Sequence, residues 1–548
     1  MTEPAPLPNA AHQDAAHRSA AHREGWDDVT LWGEFERHAA AAPSALAVVD
    51  RDGQRSMSRG DLLADATALA VQFEADGLTR GDVISVQLPN RYETVVVALA
   101  SLRLGLVINT VLPNYRAREL KHIFGTAAPT AVAVPREYRG HDHVAMVESL
   151  RSVLPANCHV YVVDDADDFI NSIRAVGGEG TVQSPPPGAA AWSELIFSSG
   201  TEATPKGVMH SEQTTNAGVR SVHEFLQLRT TDVVWMPSPV GHSTGFNFGL
   251  RFALYHGLAL VLQDRWDPAI AIELVRAFGA TYTLAATTFL QDLVRELTER
   301  DERLDGLSRF ACGGAAVPPD LVQAAGERGI GVLRLYGSTE VLVATCNHPG
   351  LPSDVRLHTD GVPLPGVTIR TRADDGSLCA VGEPGEIEVQ SWQNALGYFD
   401  EPERTADTFL DDNWVRSGDL GVIGTDGSLS IVGRKKEIII RGGLNITPRE
   451  IEELVLAFDE VERCAVIGLP DPRLGEKVCA CVTLREGSEL SFDEMIRRLR
   501  ADQLATYKLP QSLHVVAELP ATASGKIQKH VLRDQIAGSG SVGAQRCR

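Results

Sequence analysis

Apolar positions recur at three- to four-residue spacing through Leu62, Ala66, Leu69 and Phe73, behind Ser58, which can cap a helix, and ahead of Gly77, which stops one. The period then shortens. Val83-Ile84-Ser85-Val86-Gln87-Leu88 reads as a strand closed by Pro89, and a helical pattern follows through Leu99 and Leu102. This alternation continues to about residue 340 and predicts α/β architecture with largely parallel sheets. Between about 360 and 430, Gly and Pro punctuate short apolar runs (GVPLPGVTIR, GEPGEIEVQ, GSLSIVG), which predicts a small β-rich unit. Beyond Gly433 the pattern becomes compact α+β. Thr447-Pro448-Arg449-Glu450 predicts a capping box with proline at the first helical position, and Ile451, Leu454, Val455 and Phe458 supply the apolar face. The expected fold is α/β: a large N-terminal domain of α/β subdomains with a small β-rich subdomain, followed by a small α+β C-terminal domain. Expected boundaries are a disordered Ala/His-rich tail at 1–28, an N-terminal domain at 29–433, a C-terminal domain at 434–535 and a flexible tail at 536–548.

Composition adds limits. The 548 residues are 43% hydrophobic and 22% charged, as in globular proteins, and the formal charge of −21 disfavours nucleic acid and anionic membranes as partners. No apolar run is long enough to span a bilayer, and the first residues lack the basic and apolar segments of a secretory signal. A cytoplasmic protein without integral membrane contact is expected. Of eight cysteines only Cys479 and Cys481 are close, in VCACV, where they are expected to share one sheet face as reduced thiols. His12, His17 and His22 recur every five residues, a spacing that spreads them around a helix and argues against a metal site.

Five short segments carry candidate chemistry. Ile196-Phe197-Ser198-Ser199-Gly200-Thr201-Glu202-Ala203-Thr204-Pro205-Lys206-Gly207 is an apolar strand running into a hydroxyl- and glycine-rich loop with one lysine. Hydroxyls, backbone N–H groups and an ammonium suit a polyphosphate, although the loop lacks the Gly-Lys-Ser/Thr ending of a Walker loop. Tyr336-Gly337-Ser338-Thr339-Glu340, Ser417-Gly418-Asp419, Gly433-Arg434-Lys435-Lys436-Glu437 and Ser524-Gly525-Lys526 follow.

In this order the segments resemble the adenylate-forming superfamily of acyl-CoA synthetases, luciferases and peptide-synthetase adenylation domains, over about residues 30 to 535. The resemblance implies ATP, Mg²⁺ and coenzyme A as cofactors or co-substrates. It implies that Thr201 and Lys206 hold the β- and γ-phosphates, and that Gly314, Ala315 and Ala316 lie against adenine with Tyr336 covering its other side. Thr339 is implied to meet the α-phosphate, Glu340 to hold Mg²⁺, Asp419 to accept from the ribose hydroxyls and Arg434 to add a ribose or phosphate contact. Lys526 would stabilise charge developing as the acid's carboxylate attacks the α-phosphorus. Rotation of a mobile C-terminal domain about Lys436 would then remove that lysine and present Gly443, in Arg441-Gly442-Gly443-Leu444-Asn445, to a pantetheine channel. The loop departs from the usual Thr-Thr-Gly-x-Pro-Lys-Gly: Glu202 and Ala203 stand where Thr and Gly are common, which places a negative charge beside the expected phosphate site.

His242, Phe246 and Gly313 match positions that line the acyl pocket. The stretch Met236–Phe246 contains no carboxylate to pair with an amino group, and Ser243 replaces the Asn that follows the matching His in catechol-type aryl-acid ligases. The expected substrate is a short- or medium-chain or alicyclic carboxylic acid. The expected acceptor is CoA, with the phosphopantetheine of a carrier protein as the alternative. Glu340, Asp419 and Lys526 together argue against a non-catalytic nucleotide-binding module.

Overall fold

A computed structural model describes residues 26–50, 52–163, 166–178, 180–198, 205–315, 317–441, 444–502, 504–522, 526–538 and 544–546. The expected tail at 1–28, save its last three residues, and most of that at 536–548 lie outside them.

The Ser58 signal forms the expected helix, Arg59–Ala75. Ser58 Oγ accepts from the Asp61 N–H and Asp61 reaches back, and Leu62, Ala66, Leu69 and Phe73 are fully buried. The next strand, Val83–Val86, ends two residues before the apolar run does. It lies inside a seven-stranded sheet in which Val83–Val86, Val107–Thr110, Ala131–Pro135, His159–Val163 and Trp192–Ser198 run parallel, while Lys206–Ser211 and Gly397–Tyr398 close one edge antiparallel. Strands covered on both faces need continuous apolar runs, which is why these segments alternate so weakly.

A nine-stranded sheet has Val233–Met236 near its centre. From there the chain passes to Ala259–Leu262 on one side, and then to Tyr282–Ala286, Arg309–Gly313 and Val332–Ser338 on the other. Such a reversal opens a crevice at the carboxyl ends of parallel strands, the usual place for a ligand in α/β sheets. Residues 237–242 leave the central strand at this point.

The Gly- and Pro-punctuated region forms a four-stranded antiparallel sheet, Val367–Arg372, Pro384–Ser391, Trp414–Ile423 and Leu429–Arg434. The remaining strands, from Ile439 to Arg546, build a six-stranded sheet with its own apolar core around Ile451, Val466 and Met495. The architecture is therefore a large α/β N-terminal part with mixed sheets and a smaller C-terminal α/β part.

One local expectation fails. The helix Pro448–Leu456 starts where predicted, but the Thr447 side chain makes no capping bond. Glu450 is drawn to the Lys508 ammonium instead, at 2.6 and 2.8 Å, so the reciprocal box does not form. Cys479 and Cys481 do share a face of Gly475–Leu484, with sulfurs 3.7 Å apart and no disulfide. No helix among the described residues is long and apolar enough to cross a membrane.

Candidate active site

Among the described residues, Tyr336, Thr339 and Glu340 lie at the carboxyl end of a strand of the nine-stranded sheet, and Asp419 and Arg434 reach Tyr336 from the small sheet. Val332–Ser338 carries Tyr336 and runs into the turn at Thr339 and Glu340, from which Leu342–Cys346 returns antiparallel. Gly337 is required there: a Cβ would sit 1.9 Å from the Leu342 carbonyl oxygen. Across the small sheet, Asp419 pairs in register with Arg434, and the Arg434 Nε lies 3.1 Å from Asp419 Oδ1. Tyr336 donates its hydroxyl to Asp419 Oδ2 at 2.9 Å. Burial, followed by the Asp419 charge, raises the phenol well above its ordinary pKa, so it is a donor throughout the physiological range.

Gly313 ends its strand fully buried, and a Cβ at this position would lie 2.5 Å from the Leu335 carbonyl oxygen. Gly314 has φ of +80° and opens, with Ala315, to solvent. This exposed small-residue shelf leaves room for a flat group. Ala316 lies outside the described residues, as do Thr201, Glu202, Ala203, Gly442 and Gly443.

Lys206 opens the strand Lys206–Ser211, its ammonium 5.1 Å from the centre of the Tyr398 ring. Tyr398 in turn donates to Glu340 Oε1 at 2.9 Å, and the Ala395 N–H donates to the Glu340 carbonyl at 2.8 Å. Sequence reasoning missed Tyr398. It also missed His210, fully buried two turns of the pleat beyond Lys206, whose Nε2 lies 2.8 Å from the Thr339 carbonyl oxygen.

His242 caps the short helix Ser243–Gly245, its Nδ1 accepting from the Thr244 N–H at 3.2 Å. Burial, helped by the nearby Lys526 charge, pushes it down to about 4, so its imidazole is neutral. Phe246 is buried in the apolar cluster that also takes in Val240, Leu284 and Leu335. Lys526 arrives from the C-terminal part. Its backbone is tied to Thr522 by a pair of hydrogen bonds, Thr522 N–H to the Lys526 carbonyl at 2.7 Å and Lys526 N–H to Thr522 Oγ1 at 3.1 Å. Burial, followed by the Arg434 charge, lowers its ammonium to about 8 against the opposing pull of Asp419, Glu437 and Glu340. One lysine thus feels charges from both sides of the crevice. Lys436 lies exposed in the turn Lys435–Glu437 between the two parts.

Asp360 was not anticipated either. It accepts from Arg334 at 3.0 Å and from the Ile431 N–H at 2.9 Å, and Arg449 of the C-terminal part stands 3.9 Å away.

The sequence matches two known families along its length: residues 35–399 match the AMP-binding enzymes and residues 450–526 the AMP-binding enzyme C-terminal domain. The medium-chain fatty-acid–CoA ligase of Escherichia coli (strain K12) is 34% identical over 528 residues, covering 93% of this chain and 91% of that protein. The 2-hydroxy-7-methoxy-5-methyl-1-naphthoate–CoA ligase of Streptomyces carzinostaticus is 30% identical, with 93% of each chain covered. Among solved structures, ATP-bound MatB from Rhodopseudomonas palustris superposes with a TM-score of 0.83 at 26% identity, covering 92% of this chain and 99% of that one. With a family match over more than half of its residues and relatives of this identity over nearly its whole length, the chain belongs to the AMP-binding enzyme family.

Proposed function

We propose that this protein, an ATP-dependent, AMP-forming acid–CoA ligase, activates a short- or medium-chain or alicyclic carboxylic acid as its acyl-adenylate and then passes the acyl group to CoA. The observation that carries the reading is electrostatic: the ammonium of Lys526, a residue of the C-terminal part, feels the charges of Arg434, Asp419, Glu437 and Glu340. A binding module needs no such cation.

The described residues have surroundings that favour the roles proposed for them, and Thr201 and Gly443 take theirs from the family resemblance alone. The ribose would share Asp419 with the Tyr336 hydroxyl, adenine would lie over Gly314 and Ala315, and Arg434 would add a ribose or phosphate contact. Lys206 and, in the undescribed loop, Thr201 would meet the outer phosphates. Thr339 would donate to the α-phosphate. When the acid attacks, negative charge grows on the phosphoryl oxygens, and the Lys526 ammonium is already in place to meet it. Transfer to the thiol then requires that this lysine withdraw, with Lys436 as hinge and Gly443 lining the entering arm's path.

Mg²⁺ fits the donor set. Glu340 offers a carboxylate next to the Thr339 hydroxyl along the chain, both hard oxygen donors. A cation held there by one carboxylate plus substrate phosphates would neutralise phosphate charge. For the acid, the residues 237–246 supply a neutral His242 and buried Phe246 and no carboxylate, which favours an uncharged, apolar acyl group.

The test is an acid panel from acetate to dodecanoate, with benzoate, cyclohexanecarboxylate and an amino acid. AMP and acyl-CoA should appear in equal amounts, with apolar acids from the short- to medium-chain and alicyclic set preferred. Adenylate formed without CoA-stimulated turnover would instead point to a carrier-protein acceptor.

A further inference from the structure

The turn that carries Thr339 and Glu340 has to present a hydroxyl to one phosphate and a carboxylate to a cation, yet it is a short connection between antiparallel strands. Neither side chain could hold its aim without support. The support comes from the opposite sheet. Lys206–Ser211 pairs antiparallel with Gly397–Tyr398, with Val208 opposite Tyr398. Alternation along the strand places Lys206, Val208 and His210 on one face. Val208 packs with Ala395 and Tyr398 on that face, whereas Met209 packs into a different core. This one edge therefore brings His210 and Tyr398 against the turn, with Lys206 over the Tyr398 ring.

We propose that His210 and Tyr398 are positioning residues that clamp the Thr339–Glu340 turn for adenylate formation; the proposal rests on the ligase reading above. His210 grips the backbone. A carbonyl oxygen only accepts, so the 2.8 Å contact to Thr339 fixes the proton on Nε2. Nδ1 faces the Thr214 hydroxyl at 3.0 Å, and Thr214 belongs to the helix Glu212–Leu226 that continues from the same strand. The imidazole therefore bridges the turn to a helix end. Tyr398 grips the side chain. Its hydroxyl occupies Glu340 Oε1 and leaves Oε2 for a cation, while the Ala395 N–H holds the Glu340 carbonyl. The face of the same ring meets the Lys206 ammonium, so one aromatic sets the spacing between the phosphate lysine and the cation-binding carboxylate. Phe409 packs against that ring edge-on, with centroids 5.4 Å apart, and fixes its plane.

Tyr398→Phe keeps the ring under Lys206 and removes the hydroxyl alone. The clamp predicts that half-saturating Mg²⁺ for acid-dependent ATP–pyrophosphate exchange rises about tenfold, the factor expected for one hydrogen bond to a charged group. KM for the acid and the rate of CoA acylation from supplied acyl-adenylate stay unchanged. His210→Leu lowers the exchange kcat by a similar factor, and His210→Gln, whose amide N–H can reach the same carbonyl, restores most of it. A readout independent of turnover is Mn²⁺·ATP binding followed by electron paramagnetic resonance, which should weaken in Tyr398→Phe and not in His210→Gln. A Tyr398→Phe protein with wild-type Mn²⁺·ATP binding and Mg²⁺ dependence overturns the clamp, as do His210→Gln and His210→Leu variants impaired alike. If the wild-type protein binds Mn²⁺·ATP but exchanges pyrophosphate with no acid, the ligase reading falls, and the binding comparison still decides the clamp. If a His210 variant does not fold, Tyr398→Phe, the smaller change, decides.

Discussion

Lys526 and its neighbours illustrate what a single residue contributes. The lysine is a cation in a half-buried place, lowered to about 8 by desolvation and by Arg434. Its charged form is complete below that pKa and is lost as the pH rises through it. Adenylation kcat/KM, which reports the free enzyme, should therefore fall above about pH 8. Bound polyphosphate favours the ammonium, so the alkaline limb of kcat should lie at higher pH. A pH profile of pyrophosphate exchange checks both, and Lys526→Ala should remove the limb along with about a hundred- to a thousandfold of rate. The ligand-contact candidates were legible in the sequence because each lies in a short contiguous string: Tyr336, Thr339 and Glu340 in one, Asp419 in another, Lys526 in a third. Tyr398 and His210 were not. Tyr398 reaches Glu340 across 58 positions, and only the pairing of Val208 with Tyr398 places it there. The alternation from Lys206 to His210 was available as a signal for the histidine, but nothing in the sequence named the carbonyl it would meet.

Individual elements are joined by buried polar groups that periodicity does not reveal. Arg251, fully buried, contacts Glu194 at 2.5 Å and Glu212 at 3.3 Å and donates to Asn216 and Asn247; Glu212 also accepts from the Leu31 N–H. One guanidinium thus ties the helix Leu31–Ala41, the strand Trp192–Ser198 and the helix Glu212–Leu226 to the segment Phe246–Arg251. Arg251→Ala leaves two buried carboxylates uncompensated and should cost about 3–5 kcal/mol, read by urea denaturation. Three histidines, His143 buried and His242 and His256 half-buried, act on stability through pH. His143 and His242 are pushed down to about 4 and His256 to about 3, chiefly by burial. All three are neutral in the fold yet titrate near 6.5 when unfolded, so the unfolded chain binds more protons between these values. Stability is full above about pH 6.5 and should decline steadily from there towards pH 4 and below, measured as Tm against pH. Helix starts such as Ser58 were readable because the cap and its partners are local. The box at Thr447 failed because Lys508, far along the chain, competes for Glu450.

For the whole molecule, alternation of strand and helix indicated the α/β class, and the change in punctuation after residue 360 indicated a small β-rich unit, whose antiparallel pairing only the structure supplies. Strand order could not be read in this way. The reversal around Val233–Met236, which opens the crevice, depends on which side each helix packs and not on any local pattern. The meeting of the two parts was equally hidden. Arg449 approaches Asp360, which already holds Arg334 and the Ile431 N–H, so the C-terminal part rests on a carboxylate anchored in the N-terminal one. If that part rotates between half-reactions, Arg449→Ala weakens the arrangement that holds Lys526 in the crevice. Adenylation should slow by about two- to tenfold, the range for a partly buried ion pair, while thioester formation from supplied acyl-adenylate keeps its rate. The ratio of the two half-reactions is the quantity to measure.

The central claim, that Lys526 serves adenylate formation and not acyl transfer, is tested most directly by separating the two steps in Lys526→Ala. With ATP and the preferred acid, the variant should form almost no acyl-adenylate; given that acyl-adenylate and CoA, it should make acyl-CoA at close to the wild-type rate. Equal loss of both steps, or adenylate formation at the wild-type rate, would contradict the account.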